Sequence, residues 1–184
     1  MKNVALAAFC AFFILRTGAE AAFQQPSGSG KPSAGDLLSM ALFLLSYFLS
    51  AGACAWRLYA GPAPETALYC VGLVLFAASS IGRAAALKTI RRNYSLNTAP
   101  EAGAELTEGG VYSVVRNPLY LFYTLETFSF YLAGPNLVSL AMVPLCAGTA
   151  VWRAGAEEKL LAEKFGAAYD LYRARTKRFI PFIY

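Results

Sequence analysis

Histidine is absent from the 184 residues, which excludes a Ser-His or Cys-His catalytic pair within the chain and any histidine metal centre. Charge is scarce too: only 15% of residues are charged and 57% are hydrophobic, too apolar a balance for an ordinary soluble domain. A bilayer must cover much of this surface. Cysteine is sparse and scattered, with Cys10, Cys54, Cys70 and Cys146 each alone in an apolar stretch. That spacing suits neither a zinc site nor a disulfide framework, so they read as small membrane-buried hydrophobes. The net charge of +5 comes from basic residues crowded into Lys88–Arg92 and Arg153–Arg178. With no basic-aromatic module beside them, these clusters fit anionic lipid headgroups and not nucleic acid.

What the chain does have is hydrophobic runs. Leu37–Tyr59 is apolar for long enough to cross a hydrocarbon core of about 30 Å, and Trp56, Arg57 and Tyr59 give it an interfacial end. Gly61, Pro62 and Pro64 force a turn, and Ala67–Gly82 predicts the returning helix, extended through Arg92 by an amphipathic stretch. A polar segment, Asn93–Glu108, follows. After Pro118, Leu119–Ala133 and Leu137–Trp152 predict a helical hairpin closed by Gly134, Pro135 and Asn136, with arms short for full spans. The first run, Val4–Leu15, admits two readings: a signal peptide cut near Ala19-Glu20-Ala21, or a retained span ahead of the linker Gln24–Gly35. Charge favours retention. The loop Lys88–Arg116 and the C-terminal tail flank one hairpin and are both basic, so both are expected in the cytoplasm, and counting back sets Arg16 and Lys31 there as well. The expectation is an all-α, multi-pass membrane helix bundle of about five spans. Its N-terminal segment and linker cover 1–35 and its main domain 36–184.

Two motifs carry chemistry. Gly110, Tyr112, Arg116, Asn117, Pro118 and Tyr120 sit where a loop enters a span; Pro118 can begin a helix without wasting a backbone donor, and Arg116 can bind a carboxylate or phosphate at headgroup level. The same residues also suit a plain interfacial anchor. Further on, Glu158, Leu161, Phe165, Tyr169 and Tyr172 share one face at about 100° per residue, with Glu157 at its margin. A carboxylate on a buried face needs a partner. Arg116, Arg153, Arg175 or a bound polar ligand would each serve. Glu126 stands apart, inside the third of the clear spans; an ionisable group at that depth is a candidate site, either lining a lateral path for a lipid-like acceptor or hydrogen-bonded to hydroxyls of a neighbouring helix.

In order and separation these motifs resemble those of the isoprenylcysteine carboxyl methyltransferase and phospholipid methyltransferase superfamily. Its pattern runs Gly-x-Tyr, Arg-His-Pro-x-Tyr, a membrane hairpin, Glu-Glu-x-x-Leu, Phe-Gly, two tyrosines three apart and a terminal Ile-Pro, met here by Ile180 and Pro181. The resemblance covers about the last half of the chain. It implies a cytoplasm-facing pocket for S-adenosylmethionine within 93–184, closed by a C-terminal amphipathic helix. Tyr112, Arg116, Asn117, Pro118 and Tyr120 would form one wall, and Glu157, Glu158, Phe165 and Tyr169 the other. Arg175 would orient an anionic acceptor, with Glu126 the other candidate for a catalytic role. The acceptor implied is lipid-like or hydrophobic, carrying a carboxylate, amine or thiol. One departure is notable: Asn117 replaces the family's histidine, so it can hydrogen-bond but cannot titrate near neutral pH. A sterol-reductase-like enzyme using NADPH, and a scaffold that has lost activity, are the competing readings.

Overall fold

Along the second hydrophobic run the serines alternate with leucines in a way that decides which face is inside. Ser39, Ser46 and Ser50 are buried whereas Leu45, Phe48 and Leu49 are exposed. Lipid solvates leucine as well as a protein core does, but it offers nothing to a hydroxyl, so small polar residues turn toward other helices. The computed structural model describes residues 2–21, 34–90 and 106–180. It contains α1 (Lys2–Ala21), α2 (Ala34–Ala60), α3 (Thr66–Ile90), α4 (Pro118–Ala133), α5 (Leu137–Phe165) and α6 (Ala167–Arg175), with a short 3-10 turn at Gly110–Ser113. No strand occurs among the described residues, only an isolated bridge. Lys31, Arg91, Arg92, most of the polar segment before Glu108, and Pro181 lie outside the described residues.

Among the described residues three helices, α2, α3 and α5, are long and apolar enough to cross a membrane. The apolar part of α1 and the 16-residue α4 are shorter. At 1.5 Å per residue α4 is about 24 Å long, less than a hydrocarbon core of about 30 Å. α4 nonetheless sits at the centre, packed against α2, α3 and α5, while α1 lies against α2 and α3. Phe130 of α4 is the focus of this packing. Phe9 of α1, Tyr47 of α2 and Phe76 of α3 bring their rings to within 5.7, 5.2 and 5.3 Å of its centroid. Hydroxyls stitch the same helices: Ser139 Oγ donates to the Ser50 carbonyl at 3.1 Å, and Tyr69 Oη to the Ala5 carbonyl at 2.7 Å. Gly72 lets α3 approach α4 backbone to backbone, since a Cβ there would lie 2.6 Å from the Ala133 nitrogen.

Two sequence expectations need correction. The second hairpin arm is not short: α5 runs 29 residues, about 43 Å, so the membrane arm and the two glutamates are one continuous helix. Nor does one face continue from Glu158 to Tyr172. Gly166 adopts φ +52, a left-handed value that glycine reaches without the strain of a Cβ, and there the chain breaks and restarts as α6.

Candidate functional site

Proline at the first position of α4 fixes where that helix begins, and Asn117 just ahead of it occupies the capping position. Its side chain makes no cap. Instead, Asn117 Nδ2 donates to Glu158 Oε1 at 2.7 Å. Arg116 Nε donates to the same oxygen at 2.9 Å and Arg178 Nε at 3.2 Å. Glu158 therefore has one oxygen holding three donors, while its Oε2 has no hydrogen bond among the described residues. Arg116 also donates through Nη1 to the Thr176 carbonyl at 2.9 Å. Charge-assisted bonds of this kind are the strong ones, and together they orient the carboxylate.

Adjacent residues on a helix point about 100° apart, so Glu157 answers to a different set of partners. Tyr120 Oη donates to its Oε1 in a very short hydrogen bond. That phenol in turn accepts from Arg153 Nε at 3.1 Å, and Arg153 Nη1 donates to Ser39 Oγ at 3.2 Å and to the Asp36 carbonyl at 3.4 Å. Arg153 thus connects α5 to the first turns of α2. Phe43 of α2 packs edge-on against Tyr120, with centroids 5.6 Å apart.

The aromatic residues of α6 close the same region. Tyr172 Oη donates to the Tyr112 carbonyl at 2.8 Å, pinning α6 to the 3-10 turn. Tyr169 is buried, yet its hydroxyl has no hydrogen-bond partner among the described residues. Burial, with the Glu158 carboxylate adding to it, pushes its phenol up to about 12. An unpartnered buried hydroxyl costs free energy in the ligand-free protein and is a sign of a missing partner.

The structure thus joins Arg116, Asn117 and Glu158 in one cluster and Tyr120 and Glu157 in another, with Tyr112, Pro118 and Tyr169 buried around them. Phe165 ends α5, and its ring meets the Lys164 ammonium at 5.4 Å. Arg175 is largely exposed and pairs with Glu108 and not with either glutamate of α5. Glu126 is elsewhere: wholly buried, it accepts from Arg16 Nη2 at 2.8 Å and Nε at 3.1 Å, from Tyr47 Oη at 2.9 Å and from Ser80 Oγ at 3.0 Å. Arg83 Nε lies 3.4 Å from its other side. Far from lining an open lateral path, its carboxylate is enclosed by α1, α2 and α3. Arg16, counted above among the charges on the cytoplasmic side, has its guanidinium buried in the bundle against Glu126. Sequence reasoning held Arg153 only as one partner among several and missed Arg178, which lies in a tail where nothing but its charge marked it.

A family model described as phospholipid methyltransferase matches residues 67–168, more than half of the chain. The match runs from the start of α3 to the start of α6 and takes in both glutamates and the Arg-Asn-Pro-x-Tyr segment. No match is found among curated proteins. By that match the chain belongs to the phospholipid methyltransferase family and is an integral membrane protein of methyltransferase type.

Proposed function

We propose that the protein transfers a methyl group from S-adenosylmethionine to a hydrophobic or membrane-associated acceptor, with the donor held between the loop ahead of α4 and the α5–α6 corner. The observation that carries this reading is Glu158, whose Oε1 is saturated by three donors while Oε2 is left for a ligand. The buried Tyr169 hydroxyl supplies a second unmet polar group. A donor with a carboxylate, an ammonium and ribose hydroxyls matches these residues: Arg116 suits the carboxylate, Glu158 Oε2 a hydroxyl or the ammonium, and Tyr169 an acceptor atom. Bound there, such a donor offers a methyl group on a sulfonium, whose leaving group departs neutral.

The chain's own contribution is then alignment and exclusion of water. Asn117 supports this role despite replacing a histidine, because holding Glu158 requires a donated hydrogen bond and not titration. A carboxylate acceptor needs no base. For an amine or thiol acceptor, Glu157 is the better-suited proton acceptor, since only its Oε1 is engaged among the described residues, by Tyr120. Arg175, bound to Glu108, and Glu126, sealed in the bundle, have no part in the transfer step on this reading. Exposed Lys159, Lys164, Arg173, Arg175 and Lys177 at this end support a cytoplasmic orientation for the site.

The test is calorimetric binding of S-adenosylmethionine and its demethylated product to detergent-purified protein. Glu158→Ala and Arg116→Ala each remove charge-assisted bonds of roughly 1.5–3 kcal/mol, so affinity should fall about 10- to 150-fold in either. Tyr169→Phe should weaken binding while leaving the ligand-free protein as stable or more so. Well-folded wild type that binds neither compound would refute the reading.

A further inference from the structure

Beyond the family match, at the C-terminal side of α6, the segment 176–180 runs beside the loop that opens α4. Val115 and Lys177 form a parallel bridge there. The Arg116 N–H donates to the Lys177 carbonyl at 2.9 Å, the Asn117 N–H to the Arg178 carbonyl at 3.2 Å, and the Lys177 N–H to the Val114 carbonyl at 3.2 Å. These three bonds set the register of the tail against the two residues that hold Glu158. Three backbone bonds alone are a weak fastening, and such segments open locally unless side chains secure them.

Thr176 and Phe179, both buried, anchor the segment from one side, and Arg178 ties it to the glutamate. The Arg178 Nε reaches Glu158 Oε1 at 3.2 Å, and its carbonyl also accepts from Asn117 Nδ2 at 3.3 Å. Gly155 makes room for it on α5: a Cβ built at that glycine would lie 3.1 Å from Arg178 Nη2, with no other heavy atom that close. Glycine inside a helix is unfavourable, so a glycine facing a guanidinium here has a packing reason.

We propose that Arg178 is a positioning residue for the methyl-donor site, seated in the notch at Gly155 so that the tail stays closed on the loop and Glu158 keeps its Oε2 turned toward the ligand. The inference rests on the donor reading above. The loss of Arg178 would free one side of Glu158 and release the tail, and with it the Thr176 carbonyl that steadies Arg116. A small displacement of such a carboxylate is enough to lower affinity severalfold or more.

The test uses full-length protein in detergent, comparing wild type with Arg178→Gln, Arg178→Lys, Gly155→Leu and the double variant Gly155→Leu/Arg178→Gln. Amide hydrogen exchange without ligand reads the tail, and calorimetry with S-adenosylmethionine reads the site. Exchange at Arg116, Asn117 and Lys177 should speed up in Arg178→Gln and in Gly155→Leu. Donor Kd should rise roughly tenfold in both, with partial recovery in Arg178→Lys, which keeps the charge. The double variant should be no worse than Arg178→Gln alone, because both changes remove one contact. Leucine is a better helix former than glycine, so Gly155→Leu carries the test if Arg178→Gln fails to fold. Unchanged exchange in both single variants overturns the latch. Faster exchange with unchanged donor affinity overturns the positioning role. Wild type that binds no donor removes the donor reading and with it the positioning role, while exchange still decides whether the latch exists.

Discussion

Replacing Glu126 by glutamine tests whether that carboxylate pins the bundle together or serves the chemistry. Glutamine keeps the shape and can still accept from Tyr47 and Ser80, but it takes away the charge that Glu126 sets against Arg16 and Arg83. Both guanidiniums lie over the Tyr123 ring, 5.0 and 4.7 Å from its centroid, so loss of the carboxylate raises their mutual repulsion. Removing one partner of a buried ion pair costs roughly 3–5 kcal/mol. Hydrogen bonds inside membrane proteins average nearer 0.6 kcal/mol, because the denatured chain also finds partners in the bilayer. With a charged pair and several donors at stake, a loss of about 2–5 kcal/mol is expected. Titration with a denaturing detergent in mixed micelles, followed by helical ellipticity, measures it. Adding Arg16→Met to Glu126→Gln should recover part of the loss, since one of the two neighbouring cations is gone. Donor affinity in the folded fraction should stay near that of wild type. A change in stability below about 0.5 kcal/mol together with lost donor binding would refute the reasoning and return Glu126 to the active site.

Two further outcomes follow from single residues. The Tyr169 phenol is raised from 10.0 to about 12 by burial and then by Glu158, so on raising the pH the unfolded chain releases this proton first. Its contribution to stability should be constant below about pH 10 and be lost between about 10 and 12; Tyr169→Phe should flatten part of that fall in unfolding curves, with Tyr172, also raised by burial, accounting for more. Gly72→Ala should cost about 1–3 kcal/mol, because its Cβ would meet the Ala133 backbone at 2.6 Å, whereas Gly52→Ala, whose Cβ meets nothing within 4 Å, should be neutral or mildly stabilising; thermal unfolding of the pair separates a packing effect from helix propensity.

Much of this molecule was legible because the signals are local. Hydrophobic runs bounded by Gly61, Pro62 and Pro64, or by Gly134 and Pro135, mark helices and turns through properties each segment carries alone. The Arg-Asn-Pro-x-Tyr segment and the paired glutamates were readable as motifs for the same reason, and Pro118 does open a helix. The break at Gly166 was harder. A glycine in an amphipathic pattern is compatible with a continuous helix, and only the backbone angle adopted in the folded chain shows that α5 ends there.

Composition and pattern alone therefore determined that the chain is a helical membrane protein, and the order of its motifs indicated the family. The tertiary structure decided which charges meet. Arg16 finds Glu126 across 110 positions of sequence, and Arg178 joins Arg116 and Asn117 on a single oxygen of Glu158. Such pairings depend on how deep each helix sits and how it is rotated about its axis. In lipid the outward face need not be polar, so hydrophobic periodicity constrains that rotation only weakly, and the packing of small residues, aromatic rings and buried ions sets it instead.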